Sequence, residues 1–285
     1  MIDFLTASAA GSLDVRWIHG AVDEPAIQVH HYDEHTVILR QSKAVHYEAP
    51  FLFLLFGNDR ALLLDTGATP EPELFPLRAT VDALIADWLE AHPRDGYELV
   101  VAHTHGHGDH VAADGQFTDR PATTVVSREL EAVQAFFGFD DSWPARTVTF
   151  DLGGRVLELL GSPGHHRAAI TIYDPWTAIL FTGDTVLPGR LYIFDHSAYL
   201  ATLDRMIDFA GTRPVRHVLG CHVEMTSRPG LDYPLGTTFQ PDEQVLELTA
   251  GHLAEIRDAT LSVAGQPGAH AFDDFVVYNV PADAS

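Results

Sequence analysis

The chain has 285 residues, 46% of them hydrophobic, a formal net charge of −23, one lysine (Lys43) and one cysteine (Cys221). That composition is too apolar for disorder and sufficient for one large core; it offers no basic patch for nucleic acid and no cysteine framework for disulfides or a Cys-rich zinc module. No apolar run approaches the ~20 residues of a membrane helix, and the N-terminal "MIDFLTASAAGS" lacks the positive region of a secretory signal, so no membrane contact and a cytoplasmic location are expected.

Strands are predicted at 36–41, 51–57 and 61–67. The run "FLFLLF" is short and flanked by Pro50 and Gly57-Asn58-Asp59, which reads as a buried strand turning into a hairpin. Apolar residues at helical spacing predict a helix over 77–91, ended by Pro93. "YELVVAHT" is a strand, "TTVVS" another, and "RELEAVQAFFG" a helix. Further strands follow at 155–161, 168–174, 178–184 and 215–222, with helices over 199–210 and 242–259, the latter introduced by Pro241. Strands and helices are mixed with several hairpins, so the class is α/β without a simple parallel array. No repeat or long linker divides the chain, and one domain over 1–285 is the simplest organisation, with a C-terminal loop and helix extension from about 223.

Several strand-like runs end in polar residues: Asp65, His105, His165-His166, Asp184 and His222. Strand ends that gather on one sheet edge are where functional loops collect. The densest stretch, 103–110, carries four histidines and an aspartate. In a helix, His105 and His107 would point apart; in extended backbone they share a side and can converge on one ion. Gly106 and Gly108 remove bulk between them and let the loop curl, and Asp109-His110 then points another way, toward a second ion. Imidazole with carboxylate suits Zn²⁺, and also Fe or Mn.

His105-Gly-His107-Gly-Asp109-His110 resembles the H-x-H-x-D-H motif of the metallo-β-lactamase superfamily. "LLLDTG", "SPGH", "FTGDT" and the histidine ending "HVLGCH" resemble its other motifs in family order. The resemblance implies an αββα sandwich of two mixed β-sheets flanked by helices, with a metal site along one edge. It implies two Zn²⁺ ions: His105, His107 and His165 on the first, Asp109, His110 and His222 on the second, and Asp184 bridging. Asp65 is implied to brace the ligand loop by hydrogen bonds. His103 is left over as a polar neighbour, and Cys221 reads as a buried structural thiol.

Two divalent cations sharing a water lower its pKa from ~15.7 to around neutrality, and Asp109 is the catalytic candidate that orients it and shuttles a proton. The expected reaction is hydrolysis of a small carbonyl-centred substrate: an ester, thioester or lactone. Candidate substrate contacts are Arg190, Tyr192 and Tyr199 after the bridging aspartate, and Arg228 and Tyr233 in the long loop 223–243; residues 45–50 are a third wall. His166-Arg167 departs from the small or hydroxyl residues often found there in the family, and His166 faces either substrate or solvent. Alternatives within the resemblance are a mononuclear iron persulfide dioxygenase and a phosphodiesterase or nuclease; the acidic charge opposes the last. The partner expected is a small molecule, and a homodimer is compatible with the sequence.

Overall fold

All six residues of β3 (Phe51–Phe56) are buried, and alternate ones enter different cores, because successive side chains of a strand point to opposite faces. Phe51, Phe53 and Leu55 join an inner cluster with Leu157, Leu159, Ile172 and Phe181. Leu52, Leu54 and Phe56 join an outer one with Leu77, Val81, Ile85 and Trp88. One strand thus faces a second sheet and a helix layer at once, which fixes a layered sandwich.

The computed structural model describes residues 1–5, 8 and 11–281. Among them, β1 (Ile27–Asp33), β2 (Thr36–Gln41), β3, β4 (Arg60–Leu64), β5 (Glu98–Ala102) and β6 (Thr123–Val125) lie side by side in chain order. Neighbours are antiparallel up to β4, and β4, β5 and β6 are parallel. The second sheet uses β7 (Val148–Asp151), β8 (Val156–Gly161), β9 (Ile170–Asp174), β10 (Ile179–Gly183), β12 (His217–Gly220) and β13 (Glu247–Leu248) in the order β13-β12-β10-β9-β8-β7. Only β10 and β12 run parallel there among the described residues. Phe53 and Phe181 meet between the sheets with ring centroids 4.6 Å apart.

Helix α1 (Leu77–Ala91) covers the first sheet. Helix α3 (Leu130–Phe137) adds Val133 and Phe137 to the inner cluster, and helices α4 (His196–Ala210) and α5 (Ala250–Ser262) cover the second sheet through Leu203, Met206, Leu253 and Ile256. A small third sheet joins β11 (Arg190–Ile193), β15 (Val276–Asn279) and β14 (Gly268–Ala271), with β15 parallel to β11. The expected αββα arrangement is present. Helix α5 packs on α4, and β15 pairs with β11.

Two expectations need correction. The last helix starts at Ala250, not 242: Thr249 and His252 form its capping box, Leu248 pairs with Val218 of β12, and Glu243 is held by Arg40 at 2.6 Å. These contacts pull 242–248 into extended chain despite helical spacing. Helix α4 begins at His196, not 199, because Asp195 Oδ1 accepts from the Ala198 N–H at 3.0 Å. The short strands β1, β7, β11, β13, β14 and β15 lack long apolar runs and were not expected.

At the sandwich end opposite Leu64, buried Arg155 pins the sheets together. Its Nη1 donates to the carbonyls of His35 (2.6 Å) and Phe56 (3.0 Å), and its Nη2 to Thr36 Oγ1 (2.8 Å) and Asp174 Oδ2 (2.6 Å). Removing one partner leaves a buried charge uncompensated. Asp174→Ala is expected to cost about 3–5 kcal/mol in urea unfolding; a loss under about 1 kcal/mol, the scale of an exposed pair, would contradict the pinning role.

Candidate metal centre

The parallel pairs β4–β5 and β10–β12 send their C-terminal ends to one edge. Asp65 follows β4, the histidine stretch follows β5, Asp184 follows β10 and Cys221-His222 follow β12. His165 follows β8 through Ser162-Pro163-Gly164. Gly164 has φ +139°, and a Cβ there would lie 2.4 Å from Tyr199 Cα. Gly183, before Asp184, has φ +53° and would place a Cβ 2.6 Å from Thr104 Cβ. Only glycine admits both the conformation and the approach.

The loop after β5 bends at Thr104 and His105 and reaches His107 with extended φ/ψ, then turns into a one-turn helix α2 (Gly108–Val111), with the His110 N–H on the His107 carbonyl at 3.1 Å. That turn, rather than glycine torsions, sends Asp109 and His110 away from His105 and His107. Gly106 and Gly108 do not have positive φ. Gly106 is instead needed for space beside His166 and Arg128, and Gly108 is in the open.

Hydrogen bonds fix which ring nitrogen faces the centre. His165 Nδ1 lies 2.8 Å from the Tyr192 carbonyl, and His222 Nδ1 3.0 Å from the Glu48 carbonyl. His110 Nδ1 lies 2.9 Å from Asp65 Oδ2. Thr104 donates its hydroxyl proton to Asp65 Oδ2 at 2.8 Å, so its oxygen accepts from His105 Nδ1 at 3.1 Å. In the neutral rings Nε2 of all four is then a bare lone pair aimed inward.

Two groups result. His105 Nε2, His107 Nδ1 and His165 Nε2 stand 3.0, 3.0 and 3.3 Å apart. Nitrogens held roughly 2.0–2.1 Å from a tetrahedral ion would be about 3.3 Å apart, so the spacing fits a cation. In the second group, Asp109 Oδ2 is 3.2 Å from both His110 Nε2 and His222 Nε2. Asp184 joins the two: its Oδ2 is 3.5 Å from His110 Nε2, 3.8 Å from His165 Nε2 and 4.0 Å from His105 Nε2, and its Oδ1 is 3.5 Å from His222 Nε2. Asp184 Oδ1 is buried without a hydrogen-bond partner. Converging lone pairs and an orphaned carboxylate oxygen are the donor set a cation completes.

The groups differ electrostatically. Burial, then neighbouring histidines, pushes His105 well below its ordinary pKa; burial, against the pull of Asp184, takes His165 to about 4. Burial also disfavours charge on His110 and His222, but Asp109 and Asp184 outweigh it, raising His110 well above its ordinary value and His222 to about 9. Burial opposes ionisation of Asp184, yet His222 and His110 hold it down to about 2. Without a cation, the first group is neutral and the second keeps protons where an ion would sit.

The expected substrate contacts fare differently. Tyr199 is fully buried, its hydroxyl on the Thr185 carbonyl at 2.5 Å, so it cannot meet substrate; it packs under Gly164. Arg190 is spent on Glu224 (3.0 Å), Asp232 (2.7 Å) and the Tyr233 carbonyl, so it anchors the segment after His222 instead of projecting from it. Tyr192 is half-buried and packs on Tyr278 with ring centroids 4.9 Å apart, while its carbonyl holds His165. Arg228 and Tyr233 line a cavity within the loop with Asp232 and Asp242, and the Tyr233 hydroxyl accepts from the Asp242 N–H at 2.9 Å. His103 contacts Asp114 at 3.2 Å, apart from the two groups. Cys221 is buried, as expected, but its thiol donates to Asp65 Oδ2 at 3.2 Å. Thr104 and the carbonyls of Glu48 and Tyr192 were not expected. Thr104, between two histidines on a strand end, left a faint signal; carbonyl roles leave none.

A family model described as the metallo-beta-lactamase superfamily matches residues 49–222. Hydroxyacylglutathione hydrolases of Brucella ovis and Brucella abortus are 28% identical over 190 residues, 64% of this chain and 69% of each relative. Among solved structures, a metallo-beta-lactamase from Pontibacter korlensis superposes with TM-score 0.54 at 17% identity, covering 82% of this chain and 99% of that one. The DIM-1 metallo-beta-lactamase exposed to ceftazidime gives 0.56 at 14% identity, covering 85% and 100%. At such identities these two establish the fold.

The raised histidines have a consequence for stability. Unfolded histidine titrates near ~6.5. A group whose folded pKa lies higher stabilises fully below that value and loses the contribution as pH rises through the folded pKa. For His222 that loss runs from about 6.5 to about 9. Chelator-treated protein should therefore melt lower at about pH 8.5 than at about pH 6.5, and His222→Gln should shrink the difference. Equal melting of the wild type at both values, followed by circular dichroism, would rule out the protonated second group.

Proposed function

The chain belongs to the metallo-β-lactamase superfamily of metal-dependent hydrolases, and on that premise we propose that it holds two Zn²⁺ ions and hydrolyses a small ester, thioester or lactone. The observation that carries this is the carboxylate of Asp184, whose Oδ2 lies within 4.0 Å of His105 and His165 on one side and 3.5 Å of His110 on the other. His105, His107 and His165 would hold one ion, Asp109, His110 and His222 the other, and Asp184 both. When bound, such a pair supplies Lewis acidity to an acyl oxygen and acidity to water.

The chain's own residues do the rest. Asp109, at the junction of His110 and His222, orients the attacking water and carries its proton to the leaving atom. Asp65 fixes Thr104 and His110, and the carbonyls of Tyr192 and Glu48 fix His165 and His222, so the inward lone pairs are held before an ion arrives. Phe194, 48% exposed, has its ring 5.8 Å from that of His165 and offers an apolar wall. Carbonyl substrates are favoured over phosphodiesters by the net charge of −23, which repels polyanions, and by the hydroxyacylglutathione hydrolase relatives. A glutathione thioester is not favoured specifically: of the arginines after His222, Arg257 is engaged by Asp204 at 2.8 Å and Arg228 lies in the loop cavity.

The test is a panel of thioester, homoserine lactone, β-lactam and bis-phosphodiester on protein of measured metal content. About two zinc per chain and turnover of a thioester or lactone are expected, with Asp109→Ala and His107→Ala lowering kcat/KM by about 10²–10⁴-fold. Cleavage of the phosphodiester alone would refute the substrate class, and one tightly held iron would refute the dinuclear assignment. Asp65→Ala should weaken metal affinity by about 10–100-fold while leaving the ligands in place.

A further inference from the structure

His166, followed in the chain by Arg167, lies beside the first histidine group. The His166 ring is 5.0 Å from that of His107. A Cβ at Gly106 would lie 3.2 Å from His166 Cε1 and 3.3 Å from Arg128 Cβ, so His166 and Arg128 both pack against the ligand loop. His166 Nδ1 accepts from the Ala168 N–H at 3.2 Å, which leaves Nε2 as the N–H donor of the neutral ring.

The two arginines are loosely held. Arg167 Nη2 is 3.5 Å from Glu129 and 3.7 Å from Glu131, and Arg128 Nε is 3.9 Å from Glu129. Elsewhere Arg40, Arg120, Arg155 and Arg213 meet carboxylates at 2.6–2.7 Å. Arg128, Arg167 and Glu129 are all more than half exposed, where long ion pairs contribute almost nothing. Their guanidinium donors are therefore open to a better-placed anion. Glu129 shows what fits between them: a single carboxylate reaches both. Phe194, with its ring 6.0 Å from that of His107, adds an apolar surface to this side.

We propose that Arg128, Arg167 and the Nε2–H of His166 form a carboxylate-binding subsite on the His107 side of the centre, so that the substrate is an acyl compound with a free carboxylate beyond the scissile bond. The inference rests on the hydrolytic reading above. A carboxylate is favoured over a phosphate because Glu129 and Glu131 border the subsite and repel a dianion more strongly.

The test compares S-acetyl-3-mercaptopropionate with its neutral isostere S-acetyl-3-mercaptopropionamide on metal-loaded protein. The wild type should prefer the carboxylate, mainly through KM, and added salt should erode that preference. In R128A/R167A the kcat/KM ratio of carboxylate to amide should fall by about tenfold or more, and R128K/R167K should restore part of it. A wild type with no preference, or a ratio unchanged in R128A/R167A, would overturn the subsite. If neither thioester is hydrolysed, the hydrolytic reading fails on thioesters, and binding decides the subsite separately. Succinate added to metal-free protein should then shift the Arg128 and Arg167 Nε–H and the His166 Nε2–H resonances, and the His166 shift should be lost in R128A/R167A; unmoved resonances in the wild type would dispose of it.

Discussion

Four donors converge on the buried carboxylate of Asp65: the N–H and hydroxyl of Thr104, the His110 imidazole and the Cys221 thiol. The first three belong to the first sheet's strand ends and the fourth to the second sheet's, so this one side chain ties together the edge on which the site is built. Asp65 adopts φ +69°, a left-handed conformation costly for a non-glycine residue. That strain persists because the carboxylate, withdrawn from water, has its hydrogen bonds only in this position. The geometry of His105 follows from it as well, since Thr104 can accept from that ring only because its own proton goes to Asp65.

The pull of Asp65 on His110 has an electrostatic counterpart across the site. In the first group the Nε2 lone pairs of His105 and His165, fixed by a hydroxyl and a carbonyl, face each other across 3.3 Å; in the second, protons bind strongly between two aspartates. Both arrangements are poor solutions for a protein alone. The first leaves acceptors opposed and the second leaves Asp184 Oδ1 unpaired. A divalent cation held by these residues would relieve both at once, and it would take the place of the protons on His110 and His222. The site is thus a place where local stability is given up for a chemical task, and the sandwich around it, pinned at the far end by Arg155, absorbs the cost.

Much of this was legible in the amino-acid order because two periodicities are hard to counterfeit. A fully apolar six-residue run such as 51–56 between turn residues has few alternatives to a buried strand, and polar residues after such runs mark a common edge. What escaped lies in tertiary contacts. Helical spacing over 242–248 is real, but Glu243 is drawn to Arg40 and Lys43, and Leu248 to β12, so the helix waits for Thr249. Tyr199 and Arg190 carry the right chemistry in the right region, yet Tyr199 is the surface against which Gly164 packs, and Arg190 has three acidic or carbonyl partners within reach. Residue type shows what a side chain can do; only packing shows whether it is free to do it.

The same distinction reconciles an acidic protein with an anionic substrate. A net charge of −23 repels a polyanion at long range, because its many phosphates sample the whole surface. A small monoanion differs: at physiological salt the field of distant carboxylates is screened beyond about 8 Å, so close to the site it responds mainly to the groups in immediate reach. Next to His107 stand the His166 imidazole and the exposed Phe194 ring, and in the proposed subsite the weakly engaged guanidiniums of Arg128 and Arg167 join them. Long-range repulsion and short-range attraction then act on different classes of molecule, and selectivity against nucleic acid can coexist with affinity for a small carboxylate.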